Sequence, residues 1–303
     1  MDLHSGHITK PRWSPNGRLL ALPTEYGSIA IFDIDTGLVA PTLGPHAGEV
    51  TSVCWDPEAE SLLTGSLDRS IGLWELKGGK RAPFDARDHK EPVHSVEWTD
   101  EGAYAMSCST DRVRAFDGYC LHAGWTEEME DQVNRHTGLT AASCSYQTTF
   151  LLAIAAENGN RLVLASILSA DLLDSVRMSD PVRCLAWSPT EELLAVGTGR
   201  SILAFHAAST GFEGPARELT GDALHVHALA FSGDGALLAS HDPQGLRIWD
   251  VKGAKLIAAL PEKEAPSMNR RPSGLAFHPT RPLLAAVSPN GKEFRILDLG
   301  NLA

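Results

Sequence analysis

A repeated phrase constrains the fold of this chain more than any other feature of its sequence. The phrase is an apolar stretch that ends in an aromatic residue or a cysteine, followed by a polar turn and a second apolar run. It occurs seven times, with anchors at Trp13, Trp55, Trp98, Cys144, Trp187, Phe231 and Phe277. Successive anchors lie 42, 43, 46, 43, 44 and 46 residues apart. Self-similarity at such a regular period indicates a series of equivalent structural units.

A second phrase follows each anchor and has the alternating character of a strand, as in IGLWEL and LRIWDV. A weaker fourth segment, such as KLIAAL, completes the unit. Four strands in about 40–45 residues are the size of one propeller blade. Seven blades around an axis bury their apolar faces against one another and leave only short edges. The sequence therefore predicts an all-β fold, a seven-bladed β-propeller of four-stranded antiparallel blades.

The second unit carries the most complete set of polar residues around its strands. His46 precedes the first strand, Ser66 ends the second, Asp68 lies in the next turn, and Trp74 lies near the end of the third. In this pattern the chain resembles the WD-repeat β-propeller family over essentially its whole length. The resemblance implies structural roles, centred on buried hydrogen bonds, for eight residues: His46, Ser66, Asp68, Trp74, His89, Asp111, Trp249 and Asp250.

The resemblance also implies one propeller domain over residues 1–303. The expected blades are approximately residues 4–45, 46–88, 89–134, 135–177, 178–221, 222–267 and 268–303. Residues 1–3 are expected to close the last blade by pairing with the strand at 293–299. Blade four departs from the family pattern, since Cys144 and Ala165 replace its aromatic residues.

Composition narrows the classes of partner. The formal net charge of −12 argues against broad binding to nucleic acid or to an anionic membrane, which requires an excess of Lys and Arg. The five cysteines form no CxxC pair and fit free thiols in a reducing compartment. The opening MDLHSGHITK has no apolar core of a secretory signal, so a cytoplasmic location is expected.

No motif predicts catalysis or a cofactor. The chain has no GxSxG elbow, no HExxH helix and no phosphate-binding GxxxxGK[ST] loop. His225 and His227 are expected on one face of a strand, an arrangement that zinc sites use. No Cys, Asp or Glu follows at ligand spacing, and no metal is assigned to them.

A partner-binding surface follows from the resemblance, because the links between blades and the turn after each second strand share one face of the propeller. Residues that flank the first strands are therefore predicted to bind a partner: His7, Thr9, Glu49, Thr51, His94, Arg183, His225, His227 and Arg271. Residues just before the turn acid add Leu67, Thr110 and His241. This face is mixed in charge and rich in histidine, which favours a protein or peptide over a polyanion.

Two inserts interrupt the regular spacing. Residues 125–136, WTEEMEDQVNRH, carry four acids and have the composition of a helix, and residues 261–272, PEKEAPSMNRRP, mix charges with prolines. Each is either a solvated loop or a projection that contacts a partner, since binding residues concentrate on loops held by rigid scaffolds.

The expected function is a non-enzymatic scaffold or adaptor that binds a protein or peptide on the loop-bearing face. The chain is expected to be monomeric on its own. Two alternatives remain open at this point: a propeller enzyme such as a metal-dependent lactonase, and the sensor domain of a larger signalling protein. A propeller supports many functions, so the fold does not choose among them.

Overall fold

The computed structural model describes residues 8–78, 80–81, 89–99, 102–117, 124–136, 138–145, 150–219, 225–261, 274–288, 291 and 293–300. Within these ranges the chain forms seven separate antiparallel sheets in sequence order. Five sheets have four strands, and the third and seventh have three described strands each. The prediction of a seven-bladed, all-β propeller is confirmed.

The first three blades contain strands β1 (Arg12–Trp13), β2 (Leu19–Pro23), β3 (Ile29–Asp33), β4 (Leu38–Leu43), β5 (Val50–Trp55), β6 (Ser61–Ser66), β7 (Ile71–Glu75), β8 (Lys80–Arg81), β9 (Val93–Trp98), β10 (Tyr104–Ser109) and β11 (Val113–Asp117). Helix α1 (Glu127–Val133) follows blade three. Blades four and five contain β12 (Ala141–Cys144), β13 (Leu151–Ala156), β14 (Arg161–Ser166), β15 (Leu172–Arg177), β16 (Cys184–Trp187), β17 (Leu193–Gly197), β18 (Ile202–Ala208) and β19 (Gly211–Leu219). Blades six and seven contain β20 (Ala228–Phe231), β21 (Leu237–Asp242), β22 (Gly245–Asp250), β23 (Lys255–Pro261), β24 (Leu275–Phe277), β25 (Leu283–Val287) and β26 (Phe294–Asp298). No helix among the described residues is long and apolar enough to cross a membrane.

The apolar core is divided among the junctions between blades. Each of seven clusters of buried residues joins two neighbouring blades, and one of them joins blade seven to blade one. Every residue of the second strand β13 is buried, because both faces of a middle strand meet another blade. The outer strand β19 instead exposes most of its central residues. Burial therefore falls from the middle of each blade to its rim, as expected for sheets packed face to face around an axis.

Tryptophans of the innermost strands link neighbouring blades by hydrogen bonds. The indole N–H of Trp55 in β5 donates to the Arg12 carbonyl in β1, at 3.0 Å. The same bond recurs from Trp13 to the Ala276 carbonyl and from Trp187 to the Ser143 carbonyl, at 3.1 and 2.9 Å. In each case the acceptor is the residue just before the anchor of the preceding blade. Because the Trp13 bond runs from blade one to blade seven, it helps to close the ring.

The closing strand expected at residues 1–3 lies outside the described residues. Among those described, the Ile8 N–H donates to the Gly291 carbonyl at 2.7 Å. Phe32 of blade one also packs edge-on against Phe294 of blade seven, with ring centroids 5.4 Å apart. The contact between the first and last blades therefore includes apolar packing as well as backbone pairing.

Helix α1 covers the outer edge of blade three. The Gly124 N–H donates to the Ala115 carbonyl in β11, and the Asn134 side-chain amide both donates to and accepts from the Val113 backbone. Trp125, 1% exposed, donates its indole N–H to the Ile167 carbonyl of blade four. The described segment 124–134 thus occupies the edge where other blades place a fourth strand, and it satisfies backbone groups that an open edge would leave unpaired.

The interpretation of residues 125–136 as a solvated loop or a projection is therefore wrong for its central residues. Glu130 is 2% exposed and pairs with the guanidinium groups of Arg114 and Arg112, at 3.1 and 3.3 Å. The helix is held on the blade by this pairing and by Trp125. Of the second insert, residues 262–272 lie outside the described residues.

Candidate functional site

Blade two contains a buried hydrogen-bond network centred on Thr64. The hydroxyl of Thr64 accepts the indole N–H of Trp74 at 2.9 Å and contacts Nε2 of His46 at 2.7 Å. Gly72 makes this approach possible, because a Cβ there would lie 2.8 Å from the indole nitrogen and 2.9 Å from the Thr64 hydroxyl. The network joins the link before the blade to its second and third strands.

Ser66, predicted for this network by the family resemblance, has a different place. Its hydroxyl accepts the Asp68 N–H at 3.1 Å and so orders the turn after β6. The residue that receives the indole is two positions earlier, on the same face of the strand, because successive side chains alternate between faces. Thr64 therefore occupies the centre of the network, and Ser66, one of the eight residues with a predicted structural role, belongs to the turn.

Asp68 connects this turn to His46. Its carboxylate accepts hydrogen bonds from the hydroxyl and N–H of Ser70 and from the Ala47 N–H, and it lies 3.3 Å from Nδ1 of His46. Partial burial opposes ionisation of this carboxyl, but the hydrogen bonds from Ser70 and Ala47 outweigh it and lower its pKa to about 2. The turn is thereby held as an ionised, hydrogen-bonded unit.

Blade three repeats part of the network and blade six a smaller part. His89 contacts the hydroxyls of Ser107 and Ser109, each at 2.8 Å, and Ser109 donates to Asp111. Burial, together with the charge of Arg114, lowers the pKa of His89 to about 4. The His89 imidazole is therefore neutral at neutral pH.

In blade six the Trp249 indole donates to the Ser240 hydroxyl at 2.8 Å. Asp250 follows Trp249 at the end of β22, where its backbone pairs with Lys255 of the outer strand. Asp250 therefore lies at the turn that leads to the fourth strand of this blade.

The central channel opens into a cavity of about 320 Å³ on the face that carries the links between blades. Six of the residues predicted to bind a partner line this cavity: Thr9, Glu49, Thr51, His94, Arg183 and His227. They come from the beginnings of five different blades, which converge because first strands surround the axis of a propeller. We call this cavity the channel mouth.

Two basic residues lie in the channel mouth without a carboxylate at ion-pair distance in the described part of the chain, Lys10 and Arg183. The Lys10 ammonium donates to the His94 carbonyl at 3.4 Å. Desolvation by the surrounding walls, reinforced by the Arg12 guanidinium, lowers the pKa of Lys10 below its ordinary value. Desolvation also lowers the pKa of the His94 and His227 imidazoles, with a contribution from Lys10 and Arg183, respectively.

An ion pair crosses the floor of the mouth. Nη2 of Arg12 in β1 lies 3.5 Å from Oε1 of Glu97 in β9, two blades away. Glu97 also accepts the Cys144 N–H at 2.6 Å, yet burial raises its pKa above the ordinary value. Both residues also line a second cavity, of about 380 Å³, which is surrounded by anchor aromatics and turn prolines. Arg12 and Glu97 thus lie where the two cavities meet.

Several predicted partner-binding residues lie elsewhere. His225 has φ of +52° in an exposed loop before β20, so it does not share a strand face with His227 as the sequence pattern suggested. His7 and Arg271 lie outside the described residues. In the described part of the chain, no group of three or more His, Cys, Asp or Glu side chains is arranged to hold a metal ion.

The turns beside the mouth add exposed apolar side chains. Leu67, predicted from its position before the turn acid, is 44% exposed, and Tyr26 in the equivalent turn of blade one is 68% exposed. The Leu67 N–H donates to the Glu49 carbonyl, which fixes this turn beside the link that lines the mouth. The Thr110 hydroxyl lies 2.8 Å from Nε2 of His94, so Thr110 also lies beside the mouth. His241 is buried.

The sequence did not single out Tyr26, Lys10, Arg12 or Glu97. Lys10 and Arg12 lie two positions apart just before the first anchor, Trp13. This spacing places both side chains on one face of an extended segment. That alternation is a signal for a channel-facing pair once the first strands are known to line the axis. Glu97 has the equivalent position beside the anchor Trp98 in blade three.

Comparisons with known proteins agree with this architecture. The family model described as "WD domain, G-beta repeat" matches residues 39–75 and 174–204. The β-propeller domain of Myceliophteria thermophila Cps50 (Swd1) superposes with a TM-score of 0.80 and 20% identity, over 98% of this chain and 99% of that one. At this identity the structural match bears on the fold alone.

Curated relatives match at low identity. Cell division cycle 20.1, a cofactor of APC complex from Arabidopsis thaliana, is 26% identical over 90% of this chain and 60% of its own length. The COMPASS component SWD1 of Saccharomyces cerevisiae is 36% identical over 29% of this chain and 22% of its own. The human F-box-like/WD repeat-containing protein TBL1X is 30% identical over 38% of this chain and 18% of its own length. The chain thus spans less than two thirds of each of these relatives. With the seven sheets and the matched repeats, it is a seven-bladed β-propeller that carries WD repeats.

Proposed function

We propose that this chain is a non-catalytic interaction scaffold that holds a polypeptide partner on the loop-bearing face, across the channel mouth. The observation that carries the proposal is the convergence of six residues from five blades on one cavity beside exposed Leu67 and Tyr26. A few anchors within a polar rim are the usual composition of a protein–protein interface. The relatives support the proposal, because two of them are named as a cofactor or component of a complex.

The rigidity of the face also favours this function. The link and turn of blade two are held by the buried contacts of His46 and by the ionised Asp68. Side chains presented from a fixed backbone lose less conformational freedom on binding than those on a mobile loop, and this loss is a main cost of association. Arg183, which precedes β16 and whose N–H donates to the Gly197 carbonyl, is fixed in the same way.

The test uses matched substitutions on opposite faces. Leu67→Asp and Arg183→Ala alter the loop-bearing face, whereas Leu168→Asp alters an equally exposed leucine, 53% exposed, in the turn between the third and fourth strands of blade four. Proteins captured from the native cell by the immobilised wild-type chain are cross-linked and mapped by mass spectrometry. We expect cross-links at the mouth and loss of capture in Leu67→Asp and Arg183→Ala. Capture that only Leu168→Asp abolishes would place the binding surface on the other face.

A further inference from the structure

The charges of the channel mouth differ from those of the whole protein. The chain has a formal net charge of −12, yet the mouth is lined by three cations, Lys10, Arg12 and Arg183, and by two carboxylates, Glu49 and Glu97. A cavity whose lining is locally positive in an acidic protein attracts anionic groups, because low-dielectric walls concentrate its field.

The carboxylates of the mouth do not neutralise all three cations. Glu97 is engaged by Arg12 and by the Cys144 N–H on the channel floor. Lys10 and Arg183 have no carboxylate at ion-pair distance among the described residues. Two cations thus remain available to a ligand.

Lys10 and Arg183 also line the same cavity, from different blades. Burial raises the pKa of the Cys184 thiol on this wall, and the charges of Lys10 and Arg183 both act against that rise. Lys10 reaches across the channel from blade one to the His94 carbonyl in blade three, and Arg183 belongs to blade five. An anionic group that enters along the axis therefore meets a cation from each side.

The walls around these cations are apolar on the side of blades five to seven. Leu185, Ala228, Leu229 and Leu275 line the mouth there. Lys10 and Arg183 are exposed, and a charge-assisted hydrogen bond from either of them to an anion is stronger than a neutral one. A counter-charge that binds beside the Lys10 ammonium offsets its repulsion by the Arg12 guanidinium.

We infer that the channel mouth binds the carboxylate of an aspartate or glutamate side chain of the docked polypeptide, between Lys10 and Arg183. This inference rests on the proposed function. A monoanionic carboxylate fits better than a dianionic phosphate, since Glu49 and Glu97 line the same cavity and repel the second charge. The side chain enters through the opening beside Leu67, and the rest of the peptide lies on the loop-bearing face.

The experiment uses a display library of random short peptides selected on the immobilised wild-type chain. Selected peptides are then measured by fluorescence anisotropy against wild type and Lys10→Gln/Arg183→Gln. The control, Arg177→Gln/Lys252→Gln, makes the same change in net charge at two exposed positions outside the mouth. Thermal melting checks that both double variants fold.

We expect the selected peptides to be enriched in Asp or Glu at one position. Replacing that acid by Gln or Asn, or using Lys10→Gln/Arg183→Gln, should weaken binding at least about tenfold, equivalent to about 1.4 kcal/mol. The control should lose much less, and added salt should remove the difference.

Two outcomes would contradict different statements. Enriched peptides that lack an acid, or that bind Lys10→Gln/Arg183→Gln as tightly as wild type, would overturn the carboxylate site and leave the scaffold function standing. Enriched peptides whose binding is unaffected by Leu67→Asp and by every mouth substitution would place recognition elsewhere and count against the proposed function itself.

Discussion

Arg12 and Glu97 lie in blades one and three, and their guanidinium and carboxylate groups meet across the channel at 3.5 Å. Blade two separates them along the ring, so the pair is a contact through the axis and not between neighbouring blades. Burial raises the pKa of Glu97, which means that the folded state holds its proton more firmly than the unfolded chain does. The contribution of Glu97 to the free energy of unfolding therefore falls as the pH rises from 4.5, the ordinary pKa of a glutamate, through the raised pKa of Glu97.

The first prediction concerns this pair. Arg12→Met removes the countercharge and should cost about 1–3 kcal/mol at neutral pH, less than a fully buried pair because Arg12 is partly exposed. At acidic pH, where Glu97 is protonated, the cost should shrink. Urea unfolding of wild type, Arg12→Met, Glu97→Gln and the double variant at the two pH values measures this. A loss in Arg12→Met that does not depend on pH would contradict the assignment.

The second prediction compares two indoles in equivalent positions. Trp55→Phe deletes the hydrogen bond to the Arg12 carbonyl and should lower the free energy of unfolding by about 1–2 kcal/mol. Trp98 has its indole N–H buried with no hydrogen-bond partner in the described part of the chain, so Trp98→Phe removes an unsatisfied donor. We expect Trp98→Phe to cost clearly less than Trp55→Phe in denaturant unfolding. Equal losses would mean that ring packing, and not the hydrogen bond, links the blades.

The third prediction separates Thr64 from Ser66. Thr64→Val leaves Trp74 and His46 without their shared partner and should cost about 1–3 kcal/mol. Ser66→Ala removes a single turn hydrogen bond and should cost about 0.5–1.5 kcal/mol. Trp74→Ala, which also leaves a cavity, should cost about 3–5 kcal/mol. Equilibrium unfolding in urea ranks the three, and a larger loss in Ser66→Ala than in Thr64→Val would contradict the central place of Thr64.

The fourth prediction is the pH dependence that follows from His89. Its pKa is about 4 in the folded chain against 6.5 for the free imidazole, so the unfolded chain binds the proton first. As far as His89 is concerned, the free energy of unfolding is highest above pH 6.5. It falls as the pH drops towards 4, by about 3 kcal/mol in total. The stability of His89→Asn should therefore fall less than that of wild type over this range. His206→Asn makes the same substitution at an exposed position and is the matched control.

The fifth prediction concerns helix α1. Glu130→Ala leaves Arg114, whose side chain is 8% exposed, without its partner, and breaking such a buried pair costs about 3–5 kcal/mol. Glu128 lies on the same helix but is exposed, so Glu128→Ala should change stability by less than about 0.5 kcal/mol. Thermal unfolding together with amide exchange in β11 measures both. Equal effects of the two substitutions would mean that α1 is not held by its buried acid.

The sequence alone determined the number of blades and the strands within them. The anchors recur every 42–46 residues, and apolar residues alternate around Trp74 and Trp249. These patterns are local, and they recur because each blade must bury the same apolar faces against its neighbours. Because a middle strand such as β13 must bury both faces, its apolar run marks it without knowledge of its neighbours. The prediction of a face that carries Thr9, Glu49, Thr51, His94, Arg183 and His227 came from the family resemblance, which the repeated pattern of residues supported.

The tertiary structure decided what the repeat leaves unspecified. Thr64 and Ser66 are both small hydroxylic residues on one strand face, and only the approach of Trp74 over Gly72 decides which one receives the indole. Residues 125–136 have the composition of an exposed helix, but the pairing of Glu130 with Arg114 buries its inner side. Lys10, Arg12 and Glu97 form one channel because closing the ring brings the first strands of distant blades around a single axis. Contacts between residues more than 80 positions apart depend on that closure, and no local pattern records them.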